Sequence, residues 1–370
     1  MTPDVRRPID RLLVFSALML MAVGMVWIYS ASALKADQSH AVATAFLVRQ
    51  LVAGLIGVAL MLALSQVELA RLRDNPRVLQ LLYVLILFPL VAVFFFHDSH
   101  NAHRWIRIAG MSVQPSEFFK PLSVLIVSWW MVHYADAWDQ RQDSIPKLLI
   151  LFGILMLPLA LILKEPDFGT TFLILFVAML VIFLGGAPRW IFAVVTPVLM
   201  GVGLLFIVTS PYRMARVTSF LHPEADPLGK GHQALQSLIA VGNGGITGVG
   251  IGASMQKLHY LPEAHTDFIY AVIGEETGLI GTVIVLALFV AILWRGYRVA
   301  RMVRDSYLKL CAMGLTLLLV VQALMNISVV LSIAPNKGIP LPFISYGGTS
   351  LIISLVCLGL LLSISKEAGA

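Results

Sequence analysis

Residues 308–333, LKLCAMGLTLLLVVQALMNISVVLSI, decide the fold class because they contain a single charged side chain, that of Lys309. A helix needs roughly 20 apolar residues to cross the hydrocarbon core of a bilayer. Nine other stretches are similarly apolar and long or nearly long enough, and each predicts a membrane-spanning helix. They cover residues 11–32, 47–66, 79–97, 117–134, 148–164, 170–186, 189–209, 268–294 and 341–364. The chain is therefore predicted to be an all-α integral membrane protein with about ten transmembrane helices.

The composition of the chain supports this fold class. Of the 370 residues, 59% are hydrophobic and only 12% are charged, whereas soluble domains carry about 25% charged residues. These values exclude a cytosolic enzyme. Cys311 and Cys357 both lie in apolar stretches, which excludes a disulfide-stapled secreted domain. The net charge of +6 does not indicate nucleic-acid binding, because Lys and Arg are first of all topology signals in a membrane protein.

The distribution of basic residues predicts the orientation of the chain. More than half of the 26 Lys and Arg residues fall in one set of alternate loops, beginning with Arg6, Arg7 and Arg11 before the first span. The positive-inside rule places this set on the cytoplasmic side. We therefore expect a multi-pass protein of the cytoplasmic membrane with both termini in the cytoplasm.

Residues 210–266 form one long loop, predicted to lie outside the cell between the seventh and eighth spans. We expect the whole chain, residues 1–370, to be a single polytopic domain that includes this loop. Loops of this length are uncommon unless they are functional, so it is predicted to fold back over the helix bundle. Its glycines, at 242, 244, 245, 248, 250 and 252, lack the strand–turn–helix setting of a nucleotide fingerprint. They predict a sharply turning re-entrant loop.

Charged and polar residues gather at the outer ends of the predicted spans. Because charge at membrane depth is costly, each such residue is a functional hypothesis. The set is Arg49, Gln50, Arg104, Arg107, Gln114, Glu117, Lys120, Lys164, Glu165, Asp167, Arg213, Arg216, His265, Asp267, Glu275 and Glu276. These residues converge on the outer leaflet and on the outer half of the bundle.

Structural roles for these residues remain open at this stage. Glu117 and Lys120 are three residues apart on a helix and neutralise each other in the simplest case. Arg49 has Asp167 or Glu275 as candidate partners across the bundle. Asp267 also suits the first turn of a helix, where a carboxylate is favourable. Glu275 and Glu276 project about 100° apart, so at least one of them is expected to line a polar cavity.

A metal site is not predicted. His97, His100 and His103 lie near Asp98, but the cluster lacks the closing spacing of a zinc site.

Arg and Lys at the outer membrane face suit a phosphate or pyrophosphate group. A nearby Asp or Glu suits a general base for a sugar hydroxyl. The outer face is remote from cytoplasmic nucleotides, so an activated donor has to arrive on a lipid. The residue types alone fit an enzyme acting on lipid-linked substrates and a transporter of such lipids equally well.

Four motifs occur in one order along the chain: QPSEFFK at 114–120, EPDFGT at 165–170, LPEAHTDFI at 261–269 and LPFISYGGTS at 341–350. Together they resemble the SEDS family (shape, elongation, division and sporulation), which includes FtsW and RodA, with a lean to the division branch. The resemblance covers the chain from the second to the tenth span. It departs at Glu165, where the family commonly has Gln.

The resemblance implies a peptidoglycan glycosyltransferase with ten spans that polymerises lipid II with inversion at the anomeric carbon. The leaving group is undecaprenyl pyrophosphate, and the alternative function is a lipid II flippase. The resemblance implies that Asp267 is the general base, or that it organises the acceptor and a divalent cation. It implies no tightly bound cofactor, although Mg²⁺ or Mn²⁺ is expected to accompany the pyrophosphate. The implied partners are a class B penicillin-binding protein and other membrane proteins of the division or elongation complex.

Ten further residues are predicted to bind substrate. Glu117, Lys120 and Arg49 fit family positions that line the polar cavity, and Arg213 and Arg216 are expected to bind pyrophosphate. The complete predicted set is Arg49, Arg104, Gln114, Glu117, Lys120, Asp167, Arg213, Arg216, His265 and Glu275.

Overall fold

The computed structural model of the chain describes residues 10–32, 40–96, 104–108, 111–138, 141–221, 231–258, 261–336 and 338–368. Within these ranges the chain is almost entirely helical, as predicted. The helices are α1 (Arg11–Ser32), α2 (His40–Leu64), α3 (Ala70–Asp74), α4 (Pro76–Ala92), α5 (Pro115–His133), α6 (Arg141–Lys164), α7 (Phe168–Leu184), α8 (Arg189–Val208), α9 (Pro211–Leu221), α10 (His232–Gly244), α11 (Ile269–Met302), α12 (Ser306–Val330) and α13 (Gly348–Ala368). The histidines at 97, 100 and 103, for which no metal site is predicted, lie outside the described residues.

Among the described residues, eight helices are long and apolar enough to cross a membrane: α1, α2, α4, α6, α8, α11, α12 and α13. This confirms a multi-pass helical membrane protein. The fourth and sixth predicted spans, which correspond to α5 and α7, are not among the eight. Helix α7 has 17 residues, or about 26 Å at 1.5 Å per residue, which is shorter than the roughly 30 Å hydrocarbon core. Helix α5 carries the charges of Glu117 and Lys120 in its first two turns.

A small β-hairpin interrupts the helical pattern and was not predicted. Strand β1 (Ile106–Ile108) pairs antiparallel with β2 (Met111–Val113), so that Arg107 lies opposite Ser112. Ile106 is buried and Arg107 is exposed, as expected for successive residues of a half-buried strand. The hairpin leads directly into α5, and it therefore fixes where Arg107 and Gln114 lie.

The tenth predicted span begins too early. It was expected at residue 341, but α13 begins at Gly348. Pro340 and Pro342 disfavour helix in the residues that precede them and lack the amide hydrogen that a helix interior needs. The segment instead makes a turn in which Phe343 has a φ of +65°. The amide of Leu341 donates to Oγ of Ser345 at 2.8 Å.

Two helices, α12 and α13, form the centre of the bundle and are the most enclosed of the candidate spans. Helix α13 packs along α2, while α11 packs against both α12 and α1. Helix α8 lies at the opposite extreme, because Ile191 is the one buried residue among its 20. For an apolar helix in a bilayer, that exposure means contact with lipid.

Helix α11 is broken at Gly278, whose φ of +66° and ψ of −160° are not helical. The glycine-rich segment 244–252 folds back onto the break, as the glycine pattern predicts. Four backbone hydrogen bonds join the segment to α11: Val249 N to Glu275 O (3.0 Å), Gly250 N to Glu276 O (3.0 Å), Leu279 N to Gly245 O (2.9 Å) and Ile280 N to Ile246 O (3.2 Å). Backbone polar groups in a membrane protein need protein partners, and the segment supplies them where the helix cannot.

Glycine is required at this contact for steric reasons. A Cβ added to Gly248 would lie 2.2 Å from the carbonyl oxygen of Glu276, and the φ of Gly248 is +80°. The backbones of the loop and α11 therefore touch directly. We conclude that this part of the loop is a packed component of the bundle.

Candidate functional site

A cavity of about 500 Å³ opens where four segments of the chain meet. The segments are the N-terminal half of α2, the hairpin with the residues on either side of it, the turn before α11, and the segment that leads into α13. Its lining residues are Arg49, Arg104, Trp105, Arg107, Ser112, Val113, Gln114, Glu263, Thr266, Asp267, Gly338, Pro340, Tyr346, Gly347, Gly348, Thr349, Ser350 and Ile352. Four of the predicted site residues line it: Arg49, Arg104, Gln114 and Asp267.

Asp267 faces the cavity from the turn before α11. Burial raises the pKa of its carboxyl group from 3.8 to about 6, and the negative charge of Glu263 contributes to that rise. The positive charge of Arg104 acts in the opposite direction. A carboxylate with a pKa near neutrality holds a proton more tightly than an ordinary aspartate, which is the property that a general base needs.

The turn that carries Asp267 is bound by the segment before α13. Oγ of Ser345 donates to the carbonyl oxygen of Thr266 at 2.6 Å, and the amide of Tyr346 donates to the carbonyl oxygen of His265 at 2.9 Å. Gln50, which is buried on α2, holds the same segment by donating to the carbonyl oxygen of Ser345 at 3.1 Å. The motifs at 261–269 and 341–350 are therefore in direct contact.

Three arginines line the cavity together with Asp267. Arg49 is exposed to the cavity from α2, and Arg107 projects from β1. Arg104 is held from behind, because its Nε donates to the carbonyl oxygen of Glu165 at 2.8 Å and its Nη2 donates to that of Pro166. A guanidinium fixed in this way presents its remaining N–H groups in a defined direction, which suits phosphate oxygens.

Glu165 is fully buried, and neither carboxylate oxygen has a hydrogen-bond partner among the described residues. Burial raises the pKa of its side chain to about 8, and repulsion by Asp167 adds to the rise. Glu165 therefore favours its neutral, protonated form more strongly than an ordinary glutamate does.

Gln114 and Asp167 form a pair in which only Gln114 reaches the cavity. Nε2 of Gln114 donates to Oδ2 of Asp167 at 2.8 Å. The other carboxylate oxygen of Asp167 caps α7 by accepting from the amide of Thr170 at 3.1 Å. Asp167, predicted to bind substrate, thus lies behind the lining and holds α7 against the hairpin.

Glu117 and Lys120 form a buried ion pair with 2.6 Å between Oε2 and Nζ. Neither residue lines the cavity. Nζ of Lys120 also donates to Oε1 of Gln322 on α12 at 2.8 Å. The mutual neutralisation left open by the sequence is therefore present, and the pair faces α12.

Arg213, Arg216 and His265 also lie outside the lining. The guanidinium carbon of Arg213 lies 3.5 Å from the ring centre of Phe206, a cation–π contact. Arg216 reaches towards the carbonyl oxygen of Asn336, at 3.5 Å. The His265 ring packs 5.4 Å from that of Phe46.

Glu275, predicted to bind substrate, lies away from the cavity and holds the glycine-rich loop. Its carboxylate accepts from Oγ of Ser254 and from the amides of Met255 and Gln256, both at 3.3 Å. Its neighbour Glu276 pairs with Lys257 at 2.6 Å, and both side chains are buried.

Sequence reasoning overlooked Glu263 and the buried amides of α12. Glu263 has a φ of +54° and lines the cavity, but in the sequence it is only one residue of a motif. Nδ2 of Asn326 donates to the carbonyl oxygens of Asp267 at 2.7 Å and of Ile339 at 2.8 Å. The sequence shows only an isolated Asn in an apolar span, and this pattern does not reveal which backbone carbonyls the Asn side chain binds.

Comparison with known proteins gives consistent relatives. A family model described as cell cycle protein, FtsW/RodA/SpoVE, matches residues 10–369. The chain is 37% identical over 368 residues to a probable peptidoglycan glycosyltransferase FtsW of Thiomicrospira cyclica, covering 98% of this chain and 92% of that protein. It is 37% identical over 364 residues to stage V sporulation protein E of Bacillus subtilis, covering 96% and 97% respectively.

Solved structures show the same fold. A chain from a study of polymerization and crosslinking by a peptidoglycan synthase complex superposes with a TM-score of 0.77 at 26% identity, covering 97% of this chain and 98% of that chain. The rod shape determining protein RodA of Thermus thermophilus superposes with a TM-score of 0.68 at 25% identity, covering 97% of each chain.

Proposed function

The chain belongs to the FtsW/RodA/SpoVE family of cell cycle proteins, and from this membership we infer that its cavity polymerises lipid II into glycan strands. Peptidoglycan glycosyltransferase is the activity named for relatives that it matches over nearly all of its length. The chain is therefore a multi-pass membrane protein with peptidoglycan glycosyltransferase activity.

The observation that carries this assignment is the shared cavity of Asp267 and three arginines. The arginines Arg49, Arg104 and Arg107 offer positive charge to a pyrophosphate, and Asp267 offers a base with a raised pKa. A carboxylate that acts as the base, beside a pocket of positive charge, is the combination that glycosyl transfer from a pyrophosphate donor requires.

In the proposed reaction, Asp267 takes the proton from the 4-hydroxyl of the acceptor lipid II. That oxygen attacks the anomeric carbon of the donor strand from the face opposite the pyrophosphate. The new C–O bond forms as the bond to undecaprenyl pyrophosphate breaks, so the anomeric centre inverts. Arg49, Arg104 and Arg107 stabilise the negative charge that develops on the leaving pyrophosphate.

A divalent cation fits this cavity only in company with the substrate. The described residues contain no group of three or more His, Cys, Asp or Glu side chains that could hold a metal ion. Two carboxylates, those of Glu263 and Asp267, line the cavity. Mg²⁺ is commonly held by few protein ligands together with substrate phosphates, so we propose that a cation is bound mainly by the pyrophosphate.

The topology that we propose has ten spans, with α5 and α7 added to the eight long apolar helices. Both helices pack within the bundle, where the ion pair of α5 is shielded from lipid. The loop 210–266 and the cavity then lie outside the cytoplasmic membrane of a bacterium, and both termini lie inside. A class B penicillin-binding protein is the proposed partner, acting in cell division or elongation.

The test uses the purified chain, its cognate transpeptidase and fluorescent lipid II in detergent, with products resolved on a gel. We expect polymer from the wild type and none from folded Asp267→Asn. The matched control is Asp143→Asn, the same change at an exposed acid on α6, and it should polymerise normally. Polymer from Asp267→Asn would remove the base assignment. Lack of polymer from the wild type, with an active partner and intact lipid II, would shift the assignment to a flippase.

A further inference from the structure

Helix α12 contributes two buried amides, Gln322 and Asn326, that the proposed reaction does not use. They are four residues apart and therefore share one face of the helix. Their exposed fractions are 2% and 1%. Buried amides are costly unless they are hydrogen-bonded, so the positions of their partners indicate what they do.

Both amides donate to the segment that forms one wall of the cavity. Nδ2 of Asn326 donates to the carbonyl oxygens of Ile339 and Asp267, at 2.8 and 2.7 Å. Nε2 of Gln322 donates to the carbonyl oxygen of Pro340 at 2.9 Å. Asn326 thus joins the backbone of Asp267 to the wall segment at Ile339. Gln322, one turn earlier in α12, anchors the same segment at Pro340.

The orientation of the Gln322 amide depends on the ion pair of α5. Nζ of Lys120 donates to Oε1 of Gln322 at 2.8 Å, which leaves Nε2 directed at Pro340. Lys120 is in turn held by Glu117 at 2.6 Å. A continuous series of polar contacts therefore runs from α5 through α12 to the cavity wall, in surroundings where water is excluded and hydrogen bonds are correspondingly strong.

Resting on the proposed function, we propose that Gln322 and Asn326 are positioning residues for the reaction. Asn326 holds the turn of Asp267 to the wall at 338–340, and Gln322 ties that wall to the Glu117–Lys120 pair. Neither amide touches the cavity. Their effect is on geometry, and a misplacement of the base by about 1 Å is enough to slow catalysis on the order of 100-fold. The role of Glu117 and Lys120 is accordingly support of the wall, in place of substrate contact.

The experiment measures kcat and KM for lipid II polymerisation by the purified chain with its transpeptidase. The variants are Asn326→Leu, Gln322→Met and the combined change Lys120→Met with Glu117→Gln, which removes the charged donor without leaving Glu117 buried and unpaired. We expect kcat to fall about 10- to 100-fold, with KM within about twofold of the wild type. The control is Thr316→Val, which removes a buried hydroxyl from α12 that bonds only its own helix, at Ala312.

A double-variant cycle separates positioning from general destabilisation. Because Lys120 acts through Gln322, adding Gln322→Met to the Glu117→Gln/Lys120→Met variant should make it no slower than the slower of the two alone. The proposal would be overturned if the combined variant lost kcat by the product of the two separate losses. It would also be overturned if the variants raised KM with unchanged kcat, or if Thr316→Val lost as much kcat as they do. If Asn326→Leu does not fold, the kcat and KM of Gln322→Met decide the proposal. Failure of the wild type to polymerise would instead refute the proposed function.

Discussion

The acidic limb of the pH profile is the most direct consequence of the cavity's electrostatics. Burial and the charge of Glu263 raise the pKa of Asp267 from 3.8 to about 6. A base works only when deprotonated, so polymerisation should rise with pH through a midpoint near 6 and then level off. The change to make is Glu263→Gln, which removes one negative charge from the cavity and leaves the burial of Asp267 intact.

The magnitude follows from the titration of one group. With a pKa of about 6, roughly a tenth of Asp267 is ionised at pH 5, so the wild-type rate there should be about a tenth of its plateau. With an ordinary pKa of 3.8, about nine-tenths would be ionised at that pH. Removing the charge of Glu263 lowers the pKa, so the limb of Glu263→Gln should lie between these limits. Its relative rate at pH 5 should exceed that of the wild type.

The assay is the initial rate of glycan formation from fluorescent lipid II between pH 4.5 and 8, each rate divided by the plateau of the same variant. Glu165→Gln serves as the matched control, because it makes the same chemical change at an acid that does not contribute to the raised pKa of Asp267. Its limb should coincide with that of the wild type. An unchanged limb in Glu263→Gln, or a shift to higher pH, would refute the electrostatic account of Asp267.

Three further predictions concern stability, measured by thermal unfolding in detergent. The folded-state pKa of Glu165 is raised from 4.5 to about 8, so the free energy of unfolding of the wild type should fall by about 1.4 kcal/mol per pH unit between pH 4.5 and pH 8. Glu165→Gln has no such group, so it should become progressively more stable than the wild type over that window. A pH-independent difference between the two proteins would contradict the burial argument. Gly248→Ala should destabilise far more than Gly252→Ala, because both have positive φ but only the former would place Cβ against a carbonyl, at 2.2 Å; equal losses would mean that backbone strain alone matters. Lys257→Met should lower the free energy of unfolding by about 3–5 kcal/mol, because it leaves the charge of Glu276 buried and unpaired. Adding Glu276→Gln removes that charge and should restore part of the lost stability. No recovery would show that the charge is not the cause.

The sequence predicts the helices well wherever lipid is the solvent, because an apolar run has few other conformations there. It fails where local chemistry competes. Pro340 and Pro342 delay the start of α13, and Gly278 breaks α11 at a point that hydropathy does not mark. The length of α11 was underestimated because its last turns leave the apolar run and continue as an arginine-rich helix to Met302.

The site was predicted in part for a comparable reason. Asp267, Arg49, Arg104 and Gln114 were found because charge and motif mark them, and they do line the cavity. Glu275 carried the same signals but binds Ser254, a residue 21 positions earlier with nothing in the sequence to link the two. Asn326 was overlooked because the importance of an amide depends on the carbonyl that it meets, and that meeting exists only in the folded chain.

The break in α11 has a consequence for biogenesis. The glycine-rich loop precedes α11 in the chain, so both must be synthesised before the four hydrogen bonds between them can form. Until the loop docks, the carbonyls of Glu275 and Glu276 and the amides of Leu279 and Ile280 lack the partners described above. Docking of the loop is therefore the step that completes the backbone hydrogen bonding of the broken helix.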